Sequence, residues 1–203
     1  MDYLGNIFSR GESGSHRVCP WWVGYLLASP LRRTFQDPGE ILRPFIREGM
    51  NVLDIGCGMG FFSLPIARMV GEKGKVVCVD LQEKMIKNLM KRAGKAGLGL
   101  RIDTRVCRQG SLQLDDLEGK MDFAVAFAVV HEVPDKERFF TEIGNALKQT
   151  GEFLVAEPRG HVRRKEFEKT VSDALKTGLE VINTPVIGRS HAVLFGRHEK
   201  SPG

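Results

Sequence analysis

From residue 40 onward the hydrophobic pattern switches back and forth between two periods. Short apolar runs at 51–55, 75–79, 121–130 and 152–156 predict buried strands, and an alternating run at 101–107 predicts another. Helical patterns lie around them, at 40–47, 60–70, 82–96, 134–148 and 163–176. Within 82–96, Met85, Ile86, Leu89, Met90 and Ala93 share one face at a 3.6-residue period. Phe139, Phe140, Ile143, Ala146 and Leu147 do the same within 134–148, behind Asp135 as N-cap. The 121–130 run is apolar almost throughout, as in a strand covered on both faces. Two last strands, 179–187 and 191–195, are joined by Gly188-Arg189-Ser190. That link is too short for a crossover helix, so the pair is antiparallel. The expected fold is α/β: a doubly wound, Rossmann-like, seven-stranded, mostly parallel sheet with an antiparallel last strand and helices on both faces.

Residues 1–39 lack such periodicity. They hold both tryptophans and both tyrosines, Trp21, Trp22, Tyr3 and Tyr25. This segment is expected to be an extension of one domain spanning 40–203, a division that suits a chain of 203 residues. A composition of 42% hydrophobic and 27% charged residues excludes a disordered or collagen-like chain. The longest uncharged apolar run, 123–130, is far short of the ~20 residues that span a bilayer. Residues 1–10 show no basic stretch followed by an apolar core, and the four cysteines form no CxxC pair. A cytoplasmic protein is expected.

A net charge of +5 invites a nucleic-acid partner, but the charge is unevenly placed. Residues 82–108 carry +6 and residues 109–158 carry −6. The basic excess falls largely opposite the apolar stripe of 82–96, as on a solvated helix face. Its support for nucleic acid is weak.

The chemistry concentrates where the first strand ends. Asp54-Ile55-Gly56-Cys57-Gly58-Met59-Gly60 places three glycines in a strand-to-helix turn, allowing a tight bend and close backbone approach to a ligand. Asp80 ends the second strand 20 residues after Gly60, where a carboxylate can accept both hydroxyls of a ribose. Asp54 is placed to hold the turn or a ligand amine. Phe61 breaks the G-x-G-x-x-G spacing of dinucleotide sites, and no phosphate-binding P-loop occurs.

At these residues the chain resembles the class I S-adenosylmethionine-dependent methyltransferases. VLDIGCGMG is similar to their first motif and VVCVD to their second. QGSLQL at 109–114 is similar to the stretch that cradles adenine, although an acid often stands where Ser111 does. MDFAVAFAVVHEVPD and EFLVAEP are similar to the fourth- and fifth-strand motifs. The resemblance covers 40–197 and is strongest to the small-molecule branch that includes ubiquinone- and menaquinone-biosynthesis enzymes. It implies S-adenosylmethionine as cofactor, S-adenosylhomocysteine as product, and a small-molecule acceptor. It further implies that Gly56, Cys57, Gly58 and Gly60 floor the methionine part and Asp80 binds the ribose. Leu81 and Leu112 would flank adenine near Gly110 and Ser111, and Ala128 would lie beside the sulfonium.

Methyl transfer needs a base only when the acceptor must lose a proton. His131, with Glu132 as a possible orienting carboxylate, is the candidate; its alternative is a bond to a loop carbonyl. Residues 1–39 are expected to be a lid over the acceptor, with His16, Cys19, Trp21, Trp22 and Tyr25 as candidate contacts. The DPPY-type tetrapeptide of nucleobase amino-methyltransferases is absent after the fourth strand, and Ala128 stands where a catechol-type metal ligand would be, so no metal is expected. A metalloid acceptor on His16, Cys19, Cys57 and Cys107 is disfavoured because no cysteine follows the fourth strand. The competing readings are an RNA or protein methyltransferase using the 82–108 face, and a non-catalytic cofactor-binding subunit. Either a monomer or a homodimer suits the sequence.

Overall fold

A computed structural model describes residues 36–197. In chain order the elements are α1 (Pro38–Leu42), β1 (Asn51–Ile55), α2 (Ser63–Met69), β2 (Lys75–Asp80), α3 (Glu83–Lys95), β3 (Ile102–Val106), β4 (Met121–Phe127), α4 (Lys136–Ala146), β5 (Leu147–Pro158), α5 (Arg164–Leu175), β6 (Leu179–Asn183) and β7 (Ser190–Arg197). The seven strands form one sheet in the order β3-β2-β1-β4-β5-β7-β6. β1 pairs in parallel with β2 and β4, and β7 runs antiparallel to both β5 and β6. The expected fold class is therefore observed.

Alternate residues of each central strand enter opposite cores. Val52, Phe123, Val125 and Phe127 pack under α1, α2 and α3. Leu53, Ile55, Ala124, Ala126 and Phe153 pack under α4 and α5. Both faces are covered, which is why β4 reads as an unbroken apolar run. Ends differ from expectation for local reasons. β4 stops at Phe127 because Ala128 takes a positive φ of 59°, and a short 3-10 turn, Val130–Glu132, follows. β6 stops at Asn183, two residues before Pro185, which has no amide to donate to a ladder. On α3, Met85, Ile86, Leu89 and Ala93 are buried but Met90 is 38% exposed, so the stripe is narrower than its sequence pattern. No helix among the described residues is long and apolar enough to cross a membrane.

The chain runs outward from β1 to β2 and β3, then returns to place β4 on β1's other side. This reversal leaves a crevice at the carboxyl ends of β1 and β4, where ligands bind in sheets of this kind.

Candidate active site

A cleft of about 250 Å³ opens at that reversal. Its floor is the turn after β1, held by the Gly56 and Cys57 amides, which both donate to the Val79 carbonyl of β2 at 2.8 and 3.1 Å. The three glycines differ in what they do. Gly56 has φ +67°, and a Cβ there would meet Val129 Cγ2 at 2.2 Å. Gly60 has φ +82°, and its Cβ would meet Leu89 Cδ1 at 2.3 Å. Gly58, at φ +53°, has nothing within 4 Å of that position and lines the cleft. Two glycines therefore allow the turn to pack, while the third leaves open space for a ligand. Arg92 of α3 donates to the Met59 carbonyl and fixes the turn from behind.

Gly56→Ala combines backbone strain with a clash against a β-branched neighbour, and is expected to cost about 2–5 kcal/mol. Gly58→Ala carries the strain alone and should cost about 1–2 kcal/mol. Urea midpoints of the two variants test this difference; equal midpoints would contradict the packing.

Asp80 is 9% exposed and lines the cleft. Its Oδ2 accepts the Gly58 amide at 2.9 Å and its Oδ1 accepts the Gln82 amide at 2.8 Å. One carboxylate thus fastens the floor to the end of β2, and each oxygen retains a further lone pair. Burial pushes its pKa up against the pull of these amides.

Asp54 is buried and does not line the cleft. Its Oδ2 accepts the Ser63 hydroxyl at 2.5 Å, joining β1 to α2. Burial pushes its pKa up to about 7, the Ser63 hydrogen bond opposing and the Asp80 charge adding. The folded protein therefore holds this proton more tightly than the ordinary value of 3.8. The associated stability is full below about pH 4 and is lost as pH rises through 7. Asp54→Asn, which keeps the acceptor for Ser63, should gain on the native protein as pH rises from 4 to 8, by a few kcal/mol at most. Denaturant titrations at both ends of that range check it; a variant that loses ground on the native protein as pH rises would contradict it.

Cys57, Leu81, Gly110, Ser111 and Leu112 also line the cleft. Leu112 is 8% exposed and joins the core beneath α4, so it serves both core and cleft. Cys107, considered from the sequence only as a metalloid ligand, lies alongside; burial pushes its thiol up to about 11. A hydrogen bond with Cys78 and burial push the Cys57 thiol up as well.

At the ends of β4 and β5 the arrangement departs from the sequence expectation. His131 Nδ1 lies 2.8 Å from Glu157 Oε2, and the His131 amide donates to Glu157 Oε1 at 3.2 Å. Glu157 is 1% exposed. Glu132 Oε1 is 3.9 Å from His131 Nε2, beyond hydrogen-bond reach. The orienting carboxylate is thus Glu157, from the neighbouring strand, rather than the adjacent Glu132. The Glu157 hydrogen bond raises the pKa of His131 against the opposing effect of burial. Glu132 lines the cleft; the imidazole stands behind it. Ala128 lines it too, its amide bonded to Ala156 of β5 at 2.8 Å.

A family described as "Methyltransferase domain" matches residues 46–188. The chain belongs to the class I S-adenosylmethionine-dependent methyltransferase family. Among relatives of this methyltransferase, the ubiquinone biosynthesis O-methyltransferase of Azorhizobium caulinodans is 32% identical over 142 residues, 70% of this chain and 52% of the relative. The ubiquinone/menaquinone biosynthesis C-methyltransferase of Cronobacter sakazakii is 26% identical over 144 residues, 71% of this chain and 53% of the relative. The chain spans about half the length of these curated relatives. The crystal structure of an Aquifex aeolicus SAM-dependent methyltransferase superposes with a TM-score of 0.79 at 24% identity, covering 88% of this chain and 98% of that one. That likeness shows a shared fold.

The methyltransferase's expected acceptor contacts, His16, Cys19, Trp21, Trp22 and Tyr25, lie outside the described residues, as does all of the 1–39 extension except 36–39. Phe61, Phe62, Gln82, Met85, Val133 and Pro134 line the cleft without having been singled out. Gln82 and Met85 were legible in principle, since they follow Asp80 on the strand-to-helix turn. At least half of the eight basic residues of 82–108 are engaged within the protein. Lys87 pairs with Glu83 at 2.9 Å, Arg105 with Asp116 at 2.5 Å, and Arg92 and Arg101 donate to backbone carbonyls.

Proposed function

We propose that the protein transfers a methyl group from S-adenosylmethionine to a small-molecule acceptor that loses a proton in the reaction. The observation carrying this reading is the convergence of the glycine turn and Asp80 on one crevice, whose lining includes Glu132, next in the chain to the His131–Glu157 pair. A ligand at Gly58 would fill space that a side chain would otherwise take. Gly56, Gly58 and Gly60 would floor the methionine part, Asp80 would accept from the ribose, and Leu81 and Leu112 would flank adenine. Ala128 would turn its carbonyl toward the sulfonium. When bound, the cofactor supplies an electrophilic methyl group, so the protein's work is to align the acceptor and exclude water.

Glu157 accepts the Nδ1–H of His131, which fixes the tautomer with a lone pair on Nε2. That nitrogen would take the acceptor's proton, and the buried carboxylate would steady the imidazolium. The two relatives are named for O- and C-methylation, and an acidic hydroxyl or an activated carbon would both use such a base. Residues 1–39 would close over the acceptor, with His16, Cys19, Trp21, Trp22 and Tyr25 facing it.

The alternative, RNA or protein as acceptor, rests on the basic face that is partly engaged internally. Incubation of S-adenosylmethionine radiolabelled in its methyl group with size-fractionated cell extract separates the two. Label is expected in the small-molecule fraction. Label confined to RNA or protein would overturn the small-acceptor reading, and no transfer to any fraction would favour a non-catalytic subunit.

A further inference from the structure

The loop between β3 and the Asp115–Leu117 turn lines the cleft through Cys107–Leu112, together with Met85 and Leu81. Its backbone bends through a positive φ of 57° at Gln113, an unusual conformation for a residue with a side chain. Consecutive amides around such a residue point the same way and form a small anion-binding concavity. That concavity is filled from within the chain. Glu142 of α4 accepts the Leu112 amide at 2.6 Å and the Gln113 amide at 3.2 Å, both on Oε2. Its other oxygen, Oε1, accepts from Arg138 Nε at 2.9 Å, one helical turn earlier. The Glu142 side chain is 15% exposed and its bond to the Leu112 amide is partly buried, while Gln113 and Arg138 stand at the surface. Ser111 Oγ also accepts the Gln113 amide, at 3.2 Å.

We infer that Glu142, steadied by Arg138, is a positioning residue that sets the adenine-side wall of the cleft. The inference rests on the cofactor reading above. At its start the wall is tied to β2, where the Cys107 amide donates to the Asp80 carbonyl at 3.0 Å. At its end Glu142 ties it to α4. Without the carboxylate, two neighbouring amides lose their acceptor and the strained bend at Gln113 loses its support. Leu112 then loses the fixed orientation that lets one face pack in the core and the other line the cleft. Because the segment before α4, Val133–Asp135, lines the same cleft, the clamp also sets the spacing of its two walls.

The test combines S-adenosylhomocysteine titrations with amide hydrogen exchange on the full chain. Glu142→Ala is expected to weaken S-adenosylhomocysteine binding about tenfold. Exchange should accelerate at Leu112 and Gln113 while the strands β1, β2 and β4 stay protected, a local pattern that general destabilisation would not give. Glu142→Gln, which retains one acceptor oxygen, should recover part of the affinity. Arg138→Gln should fall between Glu142→Gln and the native protein. Native binding with unchanged affinity in Glu142→Ala would overturn the clamp alone, as would unchanged exchange at the two amides. A native protein that does not bind S-adenosylhomocysteine would overturn the cofactor reading and this inference with it.

Discussion

Asp80→Ala is expected to weaken S-adenosylhomocysteine binding about 100- to 1,000-fold. Two contributions add. The carboxylate would lose its bonds to the ribose hydroxyls, and charge-assisted hydrogen bonds of this kind contribute about 1.5–3 kcal/mol each. The same change removes the acceptors for the Gly58 and Gln82 amides at 2.9 and 2.8 Å, loosening the floor. Asp80→Asn separates them. Its amide oxygen can still accept one backbone amide, but its amino group cannot accept a second, so it should bind at an intermediate level with near-native stability. Calorimetric titration of the three proteins provides the comparison. Equal affinities across the series would remove Asp80 from the cofactor site.

His131→Ala should lower kcat on an identified acceptor about 100- to 10,000-fold, the range for losing a general base. The pH dependence distinguishes a base from a packing residue. The Glu157 hydrogen bond raises the imidazole above its ordinary 6.5, and a ring acting as base must be neutral. Activity should therefore climb with pH through a point above 6.5. Removing the charge in Glu157→Gln should move that limb downward while lowering kcat less than His131→Ala does. Stability carries the same sign. The pair's contribution is full below pH 6.5 and fades as pH rises through the raised value, so Glu157→Gln should destabilise more at pH 6 than at pH 9. A pH profile unmoved by Glu157→Gln would contradict the base role.

Much of this was legible in the sequence because its causes are local. Asp54 to Gly60 announces a glycine turn at a strand end, and Asp80 is fixed by the length of one strand–helix–strand unit. The unbroken apolar run of β4 betrays a strand with two covered faces. What the sequence hid depends on lateral pairing between strands far apart in the chain. Glu157 meets His131 because β5 lies beside β4, with Ala126 opposite Val155 and Phe127 opposite Ala156. Adjacency in sequence favoured Glu132 instead, whose carboxylate stays 3.9 Å from the ring. Glu142 likewise reads as an ordinary exposed helix position beside Arg138 until α4 packs on the loop that carries Leu112 and Gln113. Met90 illustrates the reverse error, an apolar residue on the periodic face that the core does not reach.

The central claim is that the crevice at the ends of β1 and β4 is a cofactor site built on the glycine turn and Asp80. It is tested most directly by mapping amide shifts of the isotopically labelled protein during titration with S-adenosylhomocysteine. The account predicts saturable binding in the micromolar range, with shifts concentrated at Gly56–Gly60, Asp80–Gln82, Cys107–Leu112 and Ala128. Saturable binding that left these amides unmoved, or no binding at all, would contradict it.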